Sequence, residues 1–204
     1  ELGLPEDAFV FACFNANNKI TSMEFDIWMN LMKKIKNSVL WLYKSNNYSV
    51  INLKKESEKR GIKSSRIIFA DRVSNREHLS RIKCADLFLD TFNYNAHTTA
   101  SDALWSGVPV ITKQGKSFSA RVCSSLLTSL GLEELIVQDN EEYEERAFSI
   151  ATNKLYLEDL KYRLNQSRTT STLFDTKGFT RNLEEIFFKL VNNFSEHRLF
   201  ICFL

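Results

Sequence analysis

The sequence predicts an α/β protein built on a Rossmann-like, doubly wound parallel sheet, and three observations support this. Short apolar runs alternate with segments of helical periodicity, which is the pattern of βα units. Several runs are apolar without a break, as expected of strands covered on both faces. Right-handed crossovers between such strands give a parallel sheet of about six strands. The predicted strands are Phe9–Phe14, Val39–Tyr43, Ile67–Phe69, Leu87–Leu89, Val108–Ile111 and Leu135–Val137.

The segments between the strands carry helix signals. Met23–Ile35 has apolar residues near helical spacing, and Thr21 or Ser22 can cap its start. Leu53–Arg60 ends at Gly61, since glycine commonly terminates helices. The other predicted helices in this part of the chain are residues 75–83, the segment from His97 to Gly107, and Phe118–Leu130, which stops at Gly131.

From about Glu141 onward the pattern changes to helices alone. Three amphipathic stretches follow, Glu141–Asn153, Leu155–Gln166 and Phe179–Phe194. We therefore expect residues 1–140 to form the Rossmann-like lobe and residues 141–204 to form a helical segment that packs on it.

Composition excludes several classes of protein. The net charge of +2, from 27 basic and 25 acidic residues, offers no basic excess for a nucleic-acid partner. No apolar run approaches the roughly 20 residues that a membrane span needs. The four cysteines have no CxxC or zinc-type spacing, which favours reduced, cytoplasmic packing cysteines; they are Cys13, Cys84, Cys123 and Cys202. Because the chain lacks an initiator Met and begins in a turn, we expect it to be part of a longer polypeptide.

Residues 86–109 hold the strongest functional signal. A buried strand and a turn lead into His97, Thr98 and Thr99, which open a helix. The free N–H groups and positive dipole end of such a helix favour an anion, here a phosphate. Asp102, one turn after Thr98, can accept hydrogen bonds from sugar hydroxyls. Simple capping by Thr98, with Asp102 complementing the helix dipole, is the alternative interpretation.

Loops after the first and third strands add further candidates. The first loop lacks GxGxxG, which argues against a dinucleotide cofactor, but supplies Lys19, a cation that can neutralise a leaving diphosphate. His78 and Arg81 lie three residues apart on one helix face, where an aromatic base can stack. A solvated lysine and a basic helix surface are the alternatives. His197, in the tail, carries no comparable signal.

Several segments, taken together, match one known family. They are LGLPEDAFVFACFN followed by Lys19 and Ile20, NSVLWLY, RIIF, ADLFLDTF, HTTASDALWSGVPVIT and SARVCSSLLTSLGLEELI. In this order and at these spacings, from about residue 2 to about residue 190, the chain resembles the C-terminal half of the catalytic region of the O-linked N-acetylglucosamine transferases.

The resemblance implies the UDP-sugar-binding lobe of a GT-B glycosyltransferase that needs no metal or other cofactor. It implies these roles: Lys19 contacts the diphosphate, His97, Thr98 and Thr99 cradle the phosphates, Asp102 holds the ribose, and His78 and Arg81 flank the uracil. Two positions depart from the family pattern. Ala16 stands where the family often has Gln, and Asn75 stands where it often has Lys.

The implied reaction transfers N-acetylglucosamine from UDP-GlcNAc to a Ser or Thr hydroxyl of a protein, with inversion. The partners would be the donor, a protein acceptor, and the missing first lobe and tetratricopeptide repeats of the same polypeptide. A related enzyme that transfers glucose from UDP-glucose to Asn, a non-catalytic nucleotide-sugar sensor, and an interaction module remain open alternatives.

Overall fold

A computed structural model describes residues 2–195 and contains one six-stranded, all-parallel sheet. The strand order β3-β2-β1-β4-β5-β6 confirms the predicted doubly wound, Rossmann-like fold. The strands are β1 (Phe9–Cys13), β2 (Ser38–Tyr43), β3 (Ile67–Ala70), β4 (Leu87–Leu89), β5 (Val110–Lys113) and β6 (Ile136–Val137). His197 and Cys202 lie outside the described residues.

Eight α-helices lie in the described residues. They are α1 (Ser22–Lys34), α2 (Asn47–Lys59), α3 (Asn75–Arg81), α4 (Thr98–Trp105), α5 (Val122–Ser129), α6 (Asn140–Thr152), α7 (Lys154–Thr170) and α8 (Thr176–Ser195). Single 3-10 turns occur at Asn17–Lys19 and Phe118–Ala120, among other places. Each of these eight helices corresponds to a predicted one, although at least one observed end of each differs from the predicted end by one or more residues.

Two predicted boundaries were wrong for identifiable reasons. The second helix begins at Asn47, before the predicted Leu53, because the Asn46 side chain caps it by accepting from the Ser49 N–H at 2.8 Å. The fifth strand begins at Val110 instead of Val108, because Val108 donates its N–H to the Ala103 carbonyl in the turn after α4.

The core lies between the sheet and its flanking helices. α1 packs against α6, while α4 packs against α3, α5 and α7. Trp28 of α1 and Trp41 of β2 are fully buried. Tyr143 of α6 is also fully buried, and its hydroxyl donates to the Asp90 carbonyl at 3.1 Å. The first helix after residue 140 therefore completes the core at the end of β4.

The last two helices differ in what they bury. α7 buries Leu160 and Leu164. α8 instead exposes many apolar side chains, Phe179, Leu183, Ile186, Phe187, Phe188, Leu190, Val191 and Phe194. Within residues 2–195, no helix combines the length and apolar character needed to cross a membrane.

The strand order reverses between β1 and β4, and this reversal positions the candidate site. Because β1 and β4 are parallel, the loops that follow them lie at the same edge of the sheet. Doubly wound folds bind their ligands at this edge. The loop after β4 leads directly into α4.

Candidate functional site

The loop between β4 and α4 is shaped by the buried carboxylate of Asp90. Its Oδ1 accepts from the backbone N–H groups of Thr91, at 2.8 Å, and Ala96, at 2.6 Å. Its Oδ2 accepts from the Thr112 hydroxyl at 2.7 Å. Burial raises the pKa of Asp90 to about 7, although these hydrogen bonds oppose the shift. Asp90 thus closes the loop and sets where α4 begins.

Asn15 links the loops after β1 and β4. Its buried side-chain amide donates to the Thr91 hydroxyl at 2.7 Å, and its Oδ1 accepts from the Thr99 hydroxyl at 2.6 Å. The Thr99 hydroxyl is therefore engaged within the protein, whereas Thr98 is exposed as the first residue of α4.

The N-terminus of α4 is open to a ligand. Thr98 does not cap the helix; His97 occupies the N-cap position, and no side chain of the described residues caps it there. The first intrahelical bond runs from the Ser101 N–H to the His97 carbonyl, so the amides of residues 98–100 precede the ladder. Uncapped amides at the positive end of a helix are suited to an anion.

A cavity of about 540 Å³ lies beside this helix start, within the size range of small-molecule sites. Four of the predicted residues line it together: His78, Arg81, Thr99 and Asp102. The other lining residues are Phe14, Ala16, Tyr43, Arg72, Val73 and Asn75. The charged side chains in the lining are two arginines, Arg72 and Arg81, and one carboxylate, Asp102, a balance that suits an anionic ligand.

His78 and Asp102 lie beside each other in the lining of this cavity, with Nε2 and Oδ2 separated by 3.8 Å. Partial burial lowers the pKa of His78, a shift that Asp102 opposes and Arg81 reinforces. Burial likewise raises the pKa of Asp102, opposed by His78. The imidazole is therefore mainly neutral near pH 7 and can act as a hydrogen-bonding group instead of a cation.

Arg81 and His78 both pack against the ring of Phe14. The His78 and Phe14 ring centres are 5.0 Å apart, and the Arg81 guanidinium lies 5.3 Å from the Phe14 centroid. Arg81 also donates to the Asp71 carbonyl at 2.7 Å, which orients the guanidinium. Its Nε is buried and has no hydrogen-bond partner among the described residues. Phe14 thus holds the imidazole and the guanidinium together in the lining of the cavity.

Lys19 and His97 are placed in a second group, around Tyr94. The Lys19 Nζ lies 3.8 Å from the Tyr94 ring centroid and donates to the Asn95 carbonyl at 3.2 Å. The His97 ring stacks on Tyr94 at 4.8 Å, and its Nε2 lies 3.3 Å from the Ser119 carbonyl. Partial burial lowers the pKa of Lys19. This group adjoins the loop that leads into α4, whereas neither Lys19 nor His97 lines the cavity itself.

Several residues that shape the site were not predicted from the sequence. Phe14, Arg72 and Val73 lie in loops predicted to face the ligand, but they were not singled out. Tyr43 ends β2, so its position at a strand's carboxyl end was the available signal. Asn15 and Asp90 act through hydrogen bonds to residues far away in sequence, and no local pattern reveals such partners.

No grouping of three or more His, Cys, Asp or Glu side chains able to hold a metal ion occurs in the part of the chain that the structure describes. Cationic charge near the cavity comes instead from Arg72 and Arg81, and beside the helix start from Lys19.

Known proteins resemble this chain over most of its length. The probable UDP-N-acetylglucosamine–peptide N-acetylglucosaminyltransferase SEC of Arabidopsis thaliana is 41% identical over 193 residues, covering 94% of this chain and 20% of that protein. The UDP-N-acetylglucosamine–peptide N-acetylglucosaminyltransferase of Caenorhabditis elegans is 35% identical over 183 residues, covering 90% and 16%. The chain therefore spans about a fifth or less of the length of these relatives.

A solved structure supports the same relationship. A mutant of the Thermobaculum terrenum O-GlcNAc transferase superposes with a TM-score of 0.82 at 28% identity, covering 90% of this chain and 38% of that one. The model of glycosyl transferase family 41 matches residues 1–183. Because this match includes nearly the whole sheet-and-helix unit described above, the chain belongs to glycosyl transferase family 41.

Proposed function

We propose that this chain is the donor-binding lobe of a GT-B protein O-glycosyltransferase that moves N-acetylglucosamine from UDP-GlcNAc to Ser or Thr. The observation that carries this proposal is the uncapped start of α4 beside a cavity of about 540 Å³. Two relatives named as UDP-N-acetylglucosamine–peptide N-acetylglucosaminyltransferases support the choice of donor and acceptor.

The nucleoside half of the donor would occupy the cavity. The uracil would lie against the wall formed by His78 and Arg81. The Asp102 carboxylate, on the same wall, would accept from the ribose hydroxyls.

The diphosphate would lie in front of α4. The amides of Thr98 and Thr99, with the exposed Thr98 hydroxyl, would donate to phosphate oxygens, and His97 would support this cradle from the N-cap position. Lys19 would add positive charge from the neighbouring Tyr94 group. The cluster of donors is held in place by Asp90 and so needs little rearrangement when the ligand binds.

The proposed reaction is an inverting displacement that uses no metal. The acceptor hydroxyl oxygen forms a bond to the anomeric carbon from the face opposite UDP, and the bond from that carbon to the diphosphate oxygen breaks. UDP leaves with the electron pair and gains negative charge. Lys19 and the α4 amides stabilise this charge more strongly in the transition state than in the bound donor, which lowers the barrier.

The remaining parts of the reaction belong to the rest of the polypeptide. Because the chain spans about a fifth of its relatives, we propose that a preceding lobe and tetratricopeptide repeats supply the acceptor site and the base that takes the hydroxyl proton. A cytoplasmic location fits the free thiols of Cys13, Cys84 and Cys123.

Calorimetric titration of the chain with UDP tests the proposal. We expect weak binding that the Thr98→Val substitution weakens about tenfold further. We expect no sugar transfer by the chain alone, since the cleft of this fold lies between two lobes. No heat together with no thermal shift would overturn donor binding and favour an interaction module. In the complete protein, competition between UDP-GlcNAc and UDP-glucose would identify the sugar.

A further inference from the structure

Side chains of helix α3 line two cavities, and the proposed donor site occupies one of them. His78 and Arg81 face the cavity described above. Arg76 and Lys83, seven residues apart and so on one side of the helix and its 3-10 extension, face away from it into a separate groove of about 660 Å³. We call this second cavity the basic groove; Arg76, Ser80, Lys83, Trp105, Arg168 and Thr169 are the lining residues that matter below.

The opposite wall of the basic groove is rigid and aromatic. Arg168 of α7 donates to the Trp105 carbonyl at 2.7 Å, and its guanidinium lies 5.5 Å from the Trp105 ring centroid. The indole also packs edge-on against Phe174, with ring centres 5.1 Å apart. Trp105 nevertheless remains 47% exposed, so one part of a fixed indole is available to a ligand.

All the charged side chains that line the basic groove are positively charged. Three cations line it, from Arg76, Lys83 and Arg168, and no carboxylate is among the lining residues. Within residues 2–195, neither Arg76 nor Lys83 forms an ion pair, although the chain as a whole has nearly balanced charge. An unneutralised basic groove in a nearly neutral protein favours an anionic partner.

We propose that the basic groove binds an acidic segment of a partner protein, with Asp or Glu side chains facing Arg76, Lys83 and Arg168. The Ser80 hydroxyl can donate to a backbone carbonyl of an extended segment, and the Thr169 hydroxyl, which itself donates to the Gln166 carbonyl at 3.0 Å, can accept from a backbone N–H. An aliphatic or aromatic side chain packs on Trp105. This surface adjoins the donor cavity, with which it shares Asn75, but none of its three cations lines that cavity. The proposal does not depend on the proposed reaction.

A protein segment fits the groove better than an anionic membrane does. The cations line a concavity formed by α3, α4 and α7 instead of projecting from a convex surface. Membrane association through few basic residues usually needs apolar side chains that insert beside them, and Trp105 is pinned by Phe174 and Arg168.

Fluorescence anisotropy with a fluorescein-labelled polyglutamate peptide tests the proposal, with a polyglutamine peptide as the neutral probe. At low ionic strength we expect the glutamate peptide to bind and the glutamine peptide not to bind. The Arg76→Glu/Lys83→Glu variant should weaken binding about tenfold or more, because two attractive pairs become repulsive. Lys55→Glu/Lys63→Glu is the matched control, since these exposed lysines lie outside the groove and the net charge changes equally.

An equal loss of affinity for the glutamate peptide in both double variants would mean that the protein attracts the peptide non-specifically, and it would overturn the proposal. So would binding of phosphatidylserine vesicles, but not of the peptide, with loss in the groove variant. If the Glu substitutions reduce the thermal midpoint, Arg76→Gln/Lys83→Gln replaces them, and unchanged peptide affinity in that variant would also overturn the proposal.

Tryptophan emission gives an independent readout of the binding place. Trp28 and Trp41 are fully buried, so a change of emission on adding unlabelled polyglutamate peptide reports on Trp105. We expect a change that is absent from the Trp105→Phe variant. Binding seen by anisotropy with no change of Trp105 emission would place the peptide elsewhere and contradict the assignment.

Discussion

The Asp90 carboxylate accepts a hydrogen bond from the backbone N–H of Ala96 at 2.6 Å, and this contact closes the loop that delivers α4 to the sheet edge. The same oxygen also accepts from the Thr91 N–H and the Asn15 amide, while the other oxygen accepts from Thr112. One buried side chain therefore organises the approach to the candidate phosphate site.

Two replacements of Asp90 should distinguish the contribution of its hydrogen bonds to stability from the contribution of its charge. Asp90→Ala leaves two buried backbone donors unpaired and should lower the free energy of unfolding by about 3 kcal/mol or more. Asp90→Asn keeps the accepting oxygen, and its amide can donate to the Thr112 hydroxyl, so it should fold with much smaller loss. Chemical denaturation of both variants measures the difference; equal destabilisation would contradict this account.

The charge of Asp90 should appear in the pH dependence of stability. Its pKa is about 7 in the folded protein, above the ordinary value of 3.8, so the folded state holds a proton that the unfolded state has released. Its contribution to stability is thus fully present below about pH 4 and lost as pH rises towards and through 7. The unfolding free energy of the wild type minus that of Asp90→Asn should fall over this range, and a flat difference would be inconsistent with a titrating Asp90.

His78 should change the stability with pH in the opposite direction to Asp90. Burial lowers its pKa, so the unfolded state takes up a proton first as the solution is acidified. Stability is then lost as pH falls from about 6.5 through the lower folded pKa. We expect His78→Gln to reduce this acid sensitivity, measured in the Asp90→Asn background so that the Asp90 trend is removed. Unchanged acid sensitivity would show that His78 is not the responsible group.

Thr98 and Thr99 should differ although they are neighbours. Thr99→Val removes the bond to buried Asn15 and should cost about 1–3 kcal/mol of stability. Thr98 is exposed, so Thr98→Val should leave stability nearly unchanged while weakening UDP binding about tenfold through the lost phosphate contact. Thermal unfolding and UDP titration of both variants check this, and unaltered UDP affinity in Thr98→Val would remove that residue from the proposed site.

Lys19→Ala should affect turnover more than donor binding in the complete enzyme. If Lys19 stabilises the departing diphosphate, kcat should fall about a hundredfold or more, with a much smaller change in donor affinity. Lys63→Ala is the control for loss of an exposed lysine elsewhere. Equal losses of kcat and affinity would mean that Lys19 acts only on the bound donor.

Introducing the usual family residues at positions 16 and 75 tests whether the two departures weaken donor binding. Ala16 and Asn75 both line the candidate cavity. We expect Asn75→Lys to raise UDP affinity about tenfold, since a cation is added beside an anionic ligand, and Ala16→Gln to add a smaller gain. Tight UDP binding without turnover in the intact wild-type protein would favour the sensor over the enzyme.

The sequence was sufficient for the fold because its strands are short and continuously apolar, as Leu87–Leu89 shows. The sequence was also sufficient to predict that His78 and Arg81 share one face of a helix, because residues three apart in a helix are neighbours on its surface. It was not sufficient for the surroundings of Lys19. That side chain reaches the Asn95 carbonyl only because the path of a loop 76 residues away is fixed by buried hydrogen bonds.

Tyr143 limits how far the protein can be shortened. A version ending at residue 140 would keep all six strands and every proposed donor contact, yet it would lose a fully enclosed aromatic ring and the hydroxyl that donates to the Asp90 carbonyl. The resulting void would lie directly under the loop that precedes α4. Engineers seeking a minimal version of this fold should therefore place the terminus beyond α6, although none of the proposed donor contacts comes from that helix.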